Sequence, residues 1–161
     1  MRNPLFKKGT TLVEVIVAAA ILVLVVLSLV SAYLFSLREG LGVTQRVQAA
    51  LLAEEGIEAM KWLRDGGWST NITPLSPGST YYLVATSSVW QATTSPSMLF
   101  GKFQRTMTLY NVNRDTNGDI VSSGGVLDAG TKKVVVTVSW FSAGGTTTRT
   151  ISTYLTNLFS D

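Results

Sequence analysis

The chain begins Met1-Arg-Asn-Pro-Leu-Phe-Lys-Lys-Gly-Thr-Thr-Leu-Val-Glu14, a segment with three basic side chains, one glycine and one carboxylate. Its cations and glycine precede a long apolar run, Leu12 to Phe35. Glu14 is the only charged side chain between Gly9 and Leu37. An isolated charge within a membrane helix costs about 3 kcal/mol near the bilayer centre. We therefore expect this carboxylate to have a specific role.

The apolar run is long enough to cross a bilayer. As a helix it would extend about 36 Å at 1.5 Å per residue, against a hydrocarbon core of about 30 Å. A secretory signal peptide has a shorter apolar region of about 7 to 15 residues and a small-residue cleavage site. Arg2, Lys7 and Lys8 precede the run, so the positive-inside rule predicts a cytoplasmic N-terminus and a C-terminal body outside.

Composition excludes several classes of function. Charged residues make up 14% of the 161 positions, well below the usual value of about 25%. The formal charge of +3 comes from the three cations before the run, so the rest gives no electrostatic argument for nucleic acid. The chain has no Cys and no His, and therefore lacks a disulfide framework, the usual general base and the commonest metal ligand.

After the run, the pattern becomes that of an amphipathic helix. Gly66-Gly67 is expected to end it, which gives a helix from Thr11 to about Asp65. At about 80 Å this helix is longer than a small domain is wide, so its first half must protrude. Gly40 and Gly42 weaken its middle, where we expect a bend or local melting. The predicted apolar stripe comprises Val43, Val47, Ala50, Ala53, Ile57, Met60 and Leu63.

From Ser69 onward the periodicity is close to two, which is typical of strands. We predict an α+β fold, in which about four antiparallel strands pack on the second half of the long helix. A turn at Ser142 to Gly145 joins the last two strands as a hairpin. The predicted strands are Tyr81 to Trp90, Phe103 to Val112, Lys132 to Phe141 and Thr147 to Leu155.

The N-terminal motif Lys7-Lys8-Gly9 followed by Thr10-Thr11-Leu12-Val13-Glu14 and an unbroken apolar helix resembles the class III leader of type IV pilins, minor pilins and type II secretion pseudopilins. The segment Leu52 to Arg64 is similar to PilV-like minor pilins and to pseudopilins. The resemblance implies the type IV pilin fold, with a long N-terminal helix, a protruding hydrophobic half and an antiparallel sheet.

The resemblance also implies a maturation pathway. A prepilin peptidase would cut between Gly9 and Thr10, Thr10 would be N-methylated, and Glu14 would become the fifth mature residue. The sequence departs from the family in having Thr10 where phenylalanine is usual and Ser31 where many pilins have a kinking proline. The frequent C-terminal disulfide loop is also absent.

Removal of the leader would create an amine at Thr10, about 6 Å from Glu14 along the helix axis. Burying a charge pair in an apolar bundle costs much less free energy than burying either charge alone. We therefore expect Glu14 to pair with a neighbouring copy's amine and to fix the axial register of two helices. The alternative is a solvated glutamate at the membrane surface.

These observations predict leader 1–9, membrane or filament-core half-helix 10–37, amphipathic half-helix 38–67 and β-domain 68–161. We expect a structural filament subunit in the cytoplasmic membrane and then on the cell surface, without enzymatic activity or a cofactor. The resemblance implies the prepilin peptidase, other pilin subunits, the inner-membrane assembly platform and, before assembly, membrane lipid as partners. The alternative is a single-pass anchor that displays a β-rich binding domain and never polymerises.

Three further features have simpler structural explanations. Asp115, Asn117 and Asp119 resemble the start of a calcium loop, but Ile120 and Val126 occupy positions where glycine and glutamate belong, so we expect a turn. The acidic helix patch Glu54, Glu55 and Glu58 is expected to be solvated. The candidate glycan-binding patch comprises Trp62, Trp68, Trp90, Trp140, Tyr81, Tyr82 and Tyr110. For Trp62 and Trp140 a position in the core is the simpler interpretation.

Overall fold

The computed structural model describes residues 11–87, 89–142 and 144–159, together with the helical backbone of residues 7–10. The chain divides into two compact units, Met1–Thr44 and Gln45–Asp161. A long helix precedes all of the strands, which is the α+β class predicted from the sequence. The elements are α1 (Lys7–Asp65), α2 (Trp68–Asn71), β1 (Thr80–Thr86), β2 (Val89–Thr93), β3 (Met98–Leu99), β4 (Phe103–Arg114), β5 (Ile120–Val121), β6 (Val126–Ser142) and β7 (Gly145–Thr156).

Helix α1 ends at Asp65, as predicted. The Gly66 N–H donates to the Trp62 carbonyl at 3.0 Å, and Gly67 has a φ of 129°, a conformation that only glycine adopts readily. The helix continues through Gly40 and Gly42, so the expected local melting is not observed in the single chain.

The sheet is antiparallel throughout, in the order β2-β1-β4-β6-β7, and the short strands β3 and β5 also pair with β4. The predicted hairpin forms β6 and β7, which pair from Thr131 with Thr156 to Ser142 with Gly145. The predicted strand Tyr81 to Trp90 is divided into β1 and β2. Ser87, with a φ of 51°, turns the chain there. The short strands β3 and β5 were not predicted either, so the sheet in the described part of the chain has seven strands where about four were expected.

One face of the sheet packs on α1 within the unit Gln45–Asp161. The N-terminal end of the predicted apolar stripe was wrong, because Val43 and Val47 are exposed and Ala49 and Leu52 are buried instead. Apolar residues occur on both sides of the helix there, so periodicity alone could not select the buried side. The core contains Ala49, Leu52, Ala53, Ile57, Met60 and Leu63 from α1, and Phe103, Met107, Leu109, Val134, Val136, Val138 and Trp140 from the sheet.

The helix and the sheet lie close together at Gly56. A Cβ atom there would lie 2.8 Å from Val136 Cγ1 and 3.0 Å from Arg105 Cδ. These separations are shorter than ordinary van der Waals contact, so the absence of a side chain at Gly56 permits the observed packing.

Candidate functional site

Every described side chain from Thr11 to Leu41 is exposed, although most of them are apolar. The most apolar 18-residue segment of α1 has no buried residue, whereas the core helix of a soluble protein is mostly buried. Helix α1 is long and apolar enough to cross a membrane, a test that a signal sequence near an N-terminus also passes. An apolar surface of this extent requires lipid or other apolar helices to cover it.

Two serine hydroxyls in this apolar segment are satisfied by the helix itself. Ser28 Oγ donates to the Leu24 carbonyl at 2.8 Å, and Ser31 Oγ donates to the Leu27 carbonyl at 2.9 Å. Such bonds to the carbonyl four residues earlier allow hydroxyl groups to reside in an apolar helix without an external partner. These two serines therefore create no demand for a neighbouring molecule.

Glu14 differs from these serines. Its side chain is exposed, and within residues 11–87, 89–142 and 144–159 no cation forms an ion pair with it. Once the surrounding apolar surface is covered, a carboxylate at this position requires a cation or several hydrogen-bond donors. Glu14 is thus the group in the described apolar segment that most requires an external partner. Gly9 and Thr10, the predicted cleavage and methylation positions, lie outside the described side chains.

A second polar arrangement attaches α1 to the sheet. Arg105 is only 2% exposed, and its guanidinium donates to the Leu52 carbonyl on α1 at 3.0 Å and to the Leu83 carbonyl on β1 at 3.4 Å. Its Nη1 lies 3.0 Å from Glu55 Oε2, and its Cζ lies 5.1 Å from the Trp90 ring centre. Burial lowers the pKa of Arg105, while the charge of Glu55 and its hydrogen bond act in the opposite direction.

Sequence reasoning missed this connection. The acidic patch Glu54, Glu55 and Glu58 is exposed, as expected, but the pairing of Glu55 with Arg105 was not predicted. Glu58 also pairs with Lys61 at 2.7 Å. The available signal was the alternation of β4, which places Arg105 on the same face as Phe103 and Met107. Arg105 fixes the second part of α1 to two strands of the body.

The Asp115 loop is built as a turn. Asp115 Oδ1 accepts hydrogen bonds from the backbone N–H groups of Asn117 and Asp119, each at 2.9 Å. The Arg114 guanidinium donates to the Gly118 carbonyl at 2.7 Å. Among the described residues, no group of three or more His, Cys, Asp or Glu side chains is arranged to hold a metal ion. The carboxylate of Asp115 therefore closes the loop on its own backbone.

The aromatic residues are dispersed. Trp140 is buried in the core, as the simpler interpretation predicted, and its ring centre lies 5.9 Å from that of Phe103. Trp68 is buried as well. Trp62 is 43% exposed, so the core position expected for it was wrong. Tyr110 is also exposed. The predicted set of aromatic residues therefore does not form one patch.

Comparisons of the chain with protein-family models, with curated proteins and with solved structures found no match.

Proposed function

We propose that the chain is a noncatalytic structural subunit, a minor pilin or pseudopilin, of a bacterial type IV pilus or type II secretion-like filament. The observation that carries this proposal is the fully exposed apolar segment of α1, in which Glu14 is the only charged side chain between Thr11 and Leu37. Lateral packing of such segments from many copies would cover their apolar surfaces. A second support is the α+β order, a long helix followed by an antiparallel sheet.

Under this proposal the precursor is stored in the cytoplasmic membrane with its C-terminal body outside. The prepilin peptidase cuts after Gly9, and Thr10 carries the new, N-methylated amine. The inner-membrane assembly platform then inserts the subunit among other pilin subunits in a filament at the cell surface.

Glu14 gives this assembly its specificity. Contacts between leucine, valine and isoleucine side chains are non-directional, so they permit many axial offsets between two helices. A carboxylate that must meet the amine of a neighbour permits few offsets, because either charge alone is costly in an apolar bundle. The two serines of the segment cannot provide this restriction, since their own helix already satisfies them.

The test compares Glu14→Ala with Glu14→Asp and Ser28→Ala, each expressed in the native host. We expect Glu14→Ala to reach the membrane fraction and to be lost from sheared filaments, because insertion depends on hydrophobicity and register depends on the charge. Glu14→Asp should retain part of the incorporation. Ser28→Ala removes a polar group whose bond lies within the helix, and should incorporate normally.

N-terminal sequencing of the surface material is the second measurement, and we expect it to begin at Thr10. Surface material that begins at Met1, or normal incorporation of Glu14→Ala, would overturn the proposal. Recovery of the body only as single molecules in the bilayer would favour the non-polymerising anchor instead.

A further inference from the structure

The sheet face opposite α1 carries a row of three side chains from three neighbouring strands. Tyr110 on β4 pairs with Lys133 on β6, and Lys133 pairs with Tyr154 on β7. Adjacent strands lie about 4.8 Å apart, so the two tyrosines are separated by roughly 10 Å with the lysine between them. Tyr110 is 47% exposed and Tyr154 is 48% exposed, so both rings are available to a ligand.

The same row forms one side of a cleft of about 530 Å³. This volume is within the range of about 300 to 1,000 Å³ that is typical of small-molecule sites. The other side is formed by the end of β4, by β5 and by the residue after it, and comprises Asn111, Val112, Ile120, Val121 and Ser122.

The described lining of the cleft carries positive charge and no negative charge. Among the described residues that line the cleft, Lys133 is the only charged one, and no described carboxylate forms an ion pair with it. The adjacent Lys132 already donates to Asn111 Oδ1 at 2.7 Å. An ammonium group without a counter-charge, between two half-exposed phenol rings, is complementary to an anionic ligand that also has flat apolar faces.

The next rows of this face are rich in hydroxyl groups. Thr108, Val135 and Ser152 form the adjacent row, and the Thr137 and Thr150 hydroxyls in the row beyond lie 3.0 Å apart. Hydroxyl groups both donate and accept hydrogen bonds, which suits a ligand that itself carries many hydroxyls. A nucleic-acid strand would require a basic groove along its backbone, and this cleft provides one cation.

We propose that the row Tyr110–Lys133–Tyr154 binds an acidic saccharide. One carboxylate of the saccharide pairs with Lys133, and its sugar rings lie against the two tyrosine rings. This site is on the sheet face that α1 does not cover, and its existence does not depend on filament assembly.

The test measures binding of oligogalacturonate to the full chain in detergent micelles by isothermal titration calorimetry. Maltohexaose is the neutral comparison and oligothymidylate is the nucleic-acid comparison. We expect oligogalacturonate to bind more tightly than either and to bind less tightly as ionic strength is raised, because the pair at Lys133 is partly exposed to solvent.

Variants assign the binding to the row. Lys133→Gln should weaken oligogalacturonate binding about tenfold or more, because it removes a charge-assisted hydrogen bond. Tyr110→Leu and Tyr154→Leu keep an apolar side chain on the sheet and should each weaken binding severalfold. Lys102→Gln is the matched control, since it makes the same change of charge at the opposite end of β4. A thermal melt of each variant verifies that the body is folded.

Four results would overturn the proposal. They are no binding of oligogalacturonate, equal binding of maltohexaose, tighter binding of oligothymidylate, and equal weakening by Lys102→Gln and Lys133→Gln. Loss of filament incorporation with retained oligogalacturonate binding would affect only the filament proposal.

Discussion

Arg105 and Glu55 lie 3.0 Å apart, but the arginine side chain is 2% exposed and the glutamate side chain is 49% exposed. The pair is therefore asymmetric. The buried guanidinium contacts two backbone carbonyls and an aromatic ring instead of water, whereas the glutamate carboxylate remains partly exposed to solvent.

Arg105→Ala should destabilise the body by about 3 kcal/mol, because two buried carbonyls lose their charged donor. Glu55→Gln should cost about 1 kcal/mol or less, because the amide oxygen can still accept a bond from Arg105 and half of the side chain is solvated. Urea unfolding followed by tryptophan fluorescence measures both. Equal losses would mean that the charge pair, rather than the carbonyl contacts, supplies the stability.

Gly56→Ala should destabilise the body by about 1 to 3 kcal/mol, because the new methyl group would overlap Val136 Cγ1. Alanine is otherwise the better helix former by about 1 kcal/mol. Gly42→Ala is the matched control, since a methyl group there would contact nothing beyond the neighbouring helix backbone. Circular dichroism melts should show a lower midpoint for Gly56→Ala than for the wild type. The midpoint of Gly42→Ala should not be lowered. A stabilised Gly56→Ala would contradict the close contact.

Phe100 occupies an unfavourable backbone conformation. Its φ is 52° and the residue is 87% exposed. With Gly101 it lies at the centre of the three-residue loop between β3 and β4, where the Lys102 N–H donates to the Leu99 carbonyl at 3.1 Å. Asparagine and glycine are preferred in such turns, and a bulky residue at this φ costs roughly 1 to 2 kcal/mol.

Phe100→Asn should therefore raise the thermal midpoint, with a gain of about 1 kcal/mol in the free energy of unfolding. Phe141→Asn is the control, because that phenylalanine is also exposed but lies in the regular strand β6. Its replacement should lower stability slightly, since asparagine is unfavourable in strands. Phe100 and Leu51 line a common apolar groove. A loss of stability in Phe100→Asn would show that the contacts of Phe100 in this groove contribute more to stability than the strained backbone costs.

Acid should weaken the end of the β4–β6 pairing. The hydrogen bond from Arg114 to Asp128, at 2.6 Å, holds the pKa of the carboxyl below its usual value, with further bonds from Thr131 and the Gly130 N–H. A carboxyl with a lowered pKa in the folded state stabilises the fold above its unfolded pKa of about 3.9. That contribution is lost as the pH falls through the folded pKa.

Asp128→Asn should therefore be less stable than the wild type at neutral pH and should lose less stability on acidification. Urea midpoints between about pH 7 and pH 2 measure this difference. Parallel pH profiles for the two proteins would exclude Asp128 as the titrating group.

The strands with clear alternation could be predicted from the sequence. Val134, Val136, Val138 and Trp140 are all buried on one face of β6, and the turn before β7 falls where its glycines indicated. The division of Tyr81 to Trp90 could not be predicted, because Ser87 adopts a positive φ without a glycine to indicate it.

The sites were less accessible to sequence reasoning. Alternation indicates that Arg105 faces inward. Its pairing with Glu55 could not be predicted, because it depends on how the helix packs on the sheet. The row of Tyr110, Lys133 and Tyr154 depends on cross-strand register, which is altered between β4 and β6 by an irregularity at Asn111/Val112. Glu14 was selected as a candidate subunit contact from the sequence alone, because a single charge in an apolar run is easy to recognise. Its role remains a prediction.

The late position of β6 in the chain has a consequence for folding during synthesis. Helix α1 is made first, whereas the strand that contributes Val134, Val136 and Val138 to the core beneath it is among the last to leave the ribosome. The apolar side of the helix between Ala49 and Leu63 is thus uncovered while the intervening chain is translated. We expect this interval to be the period in which the nascent chain depends most on folding factors.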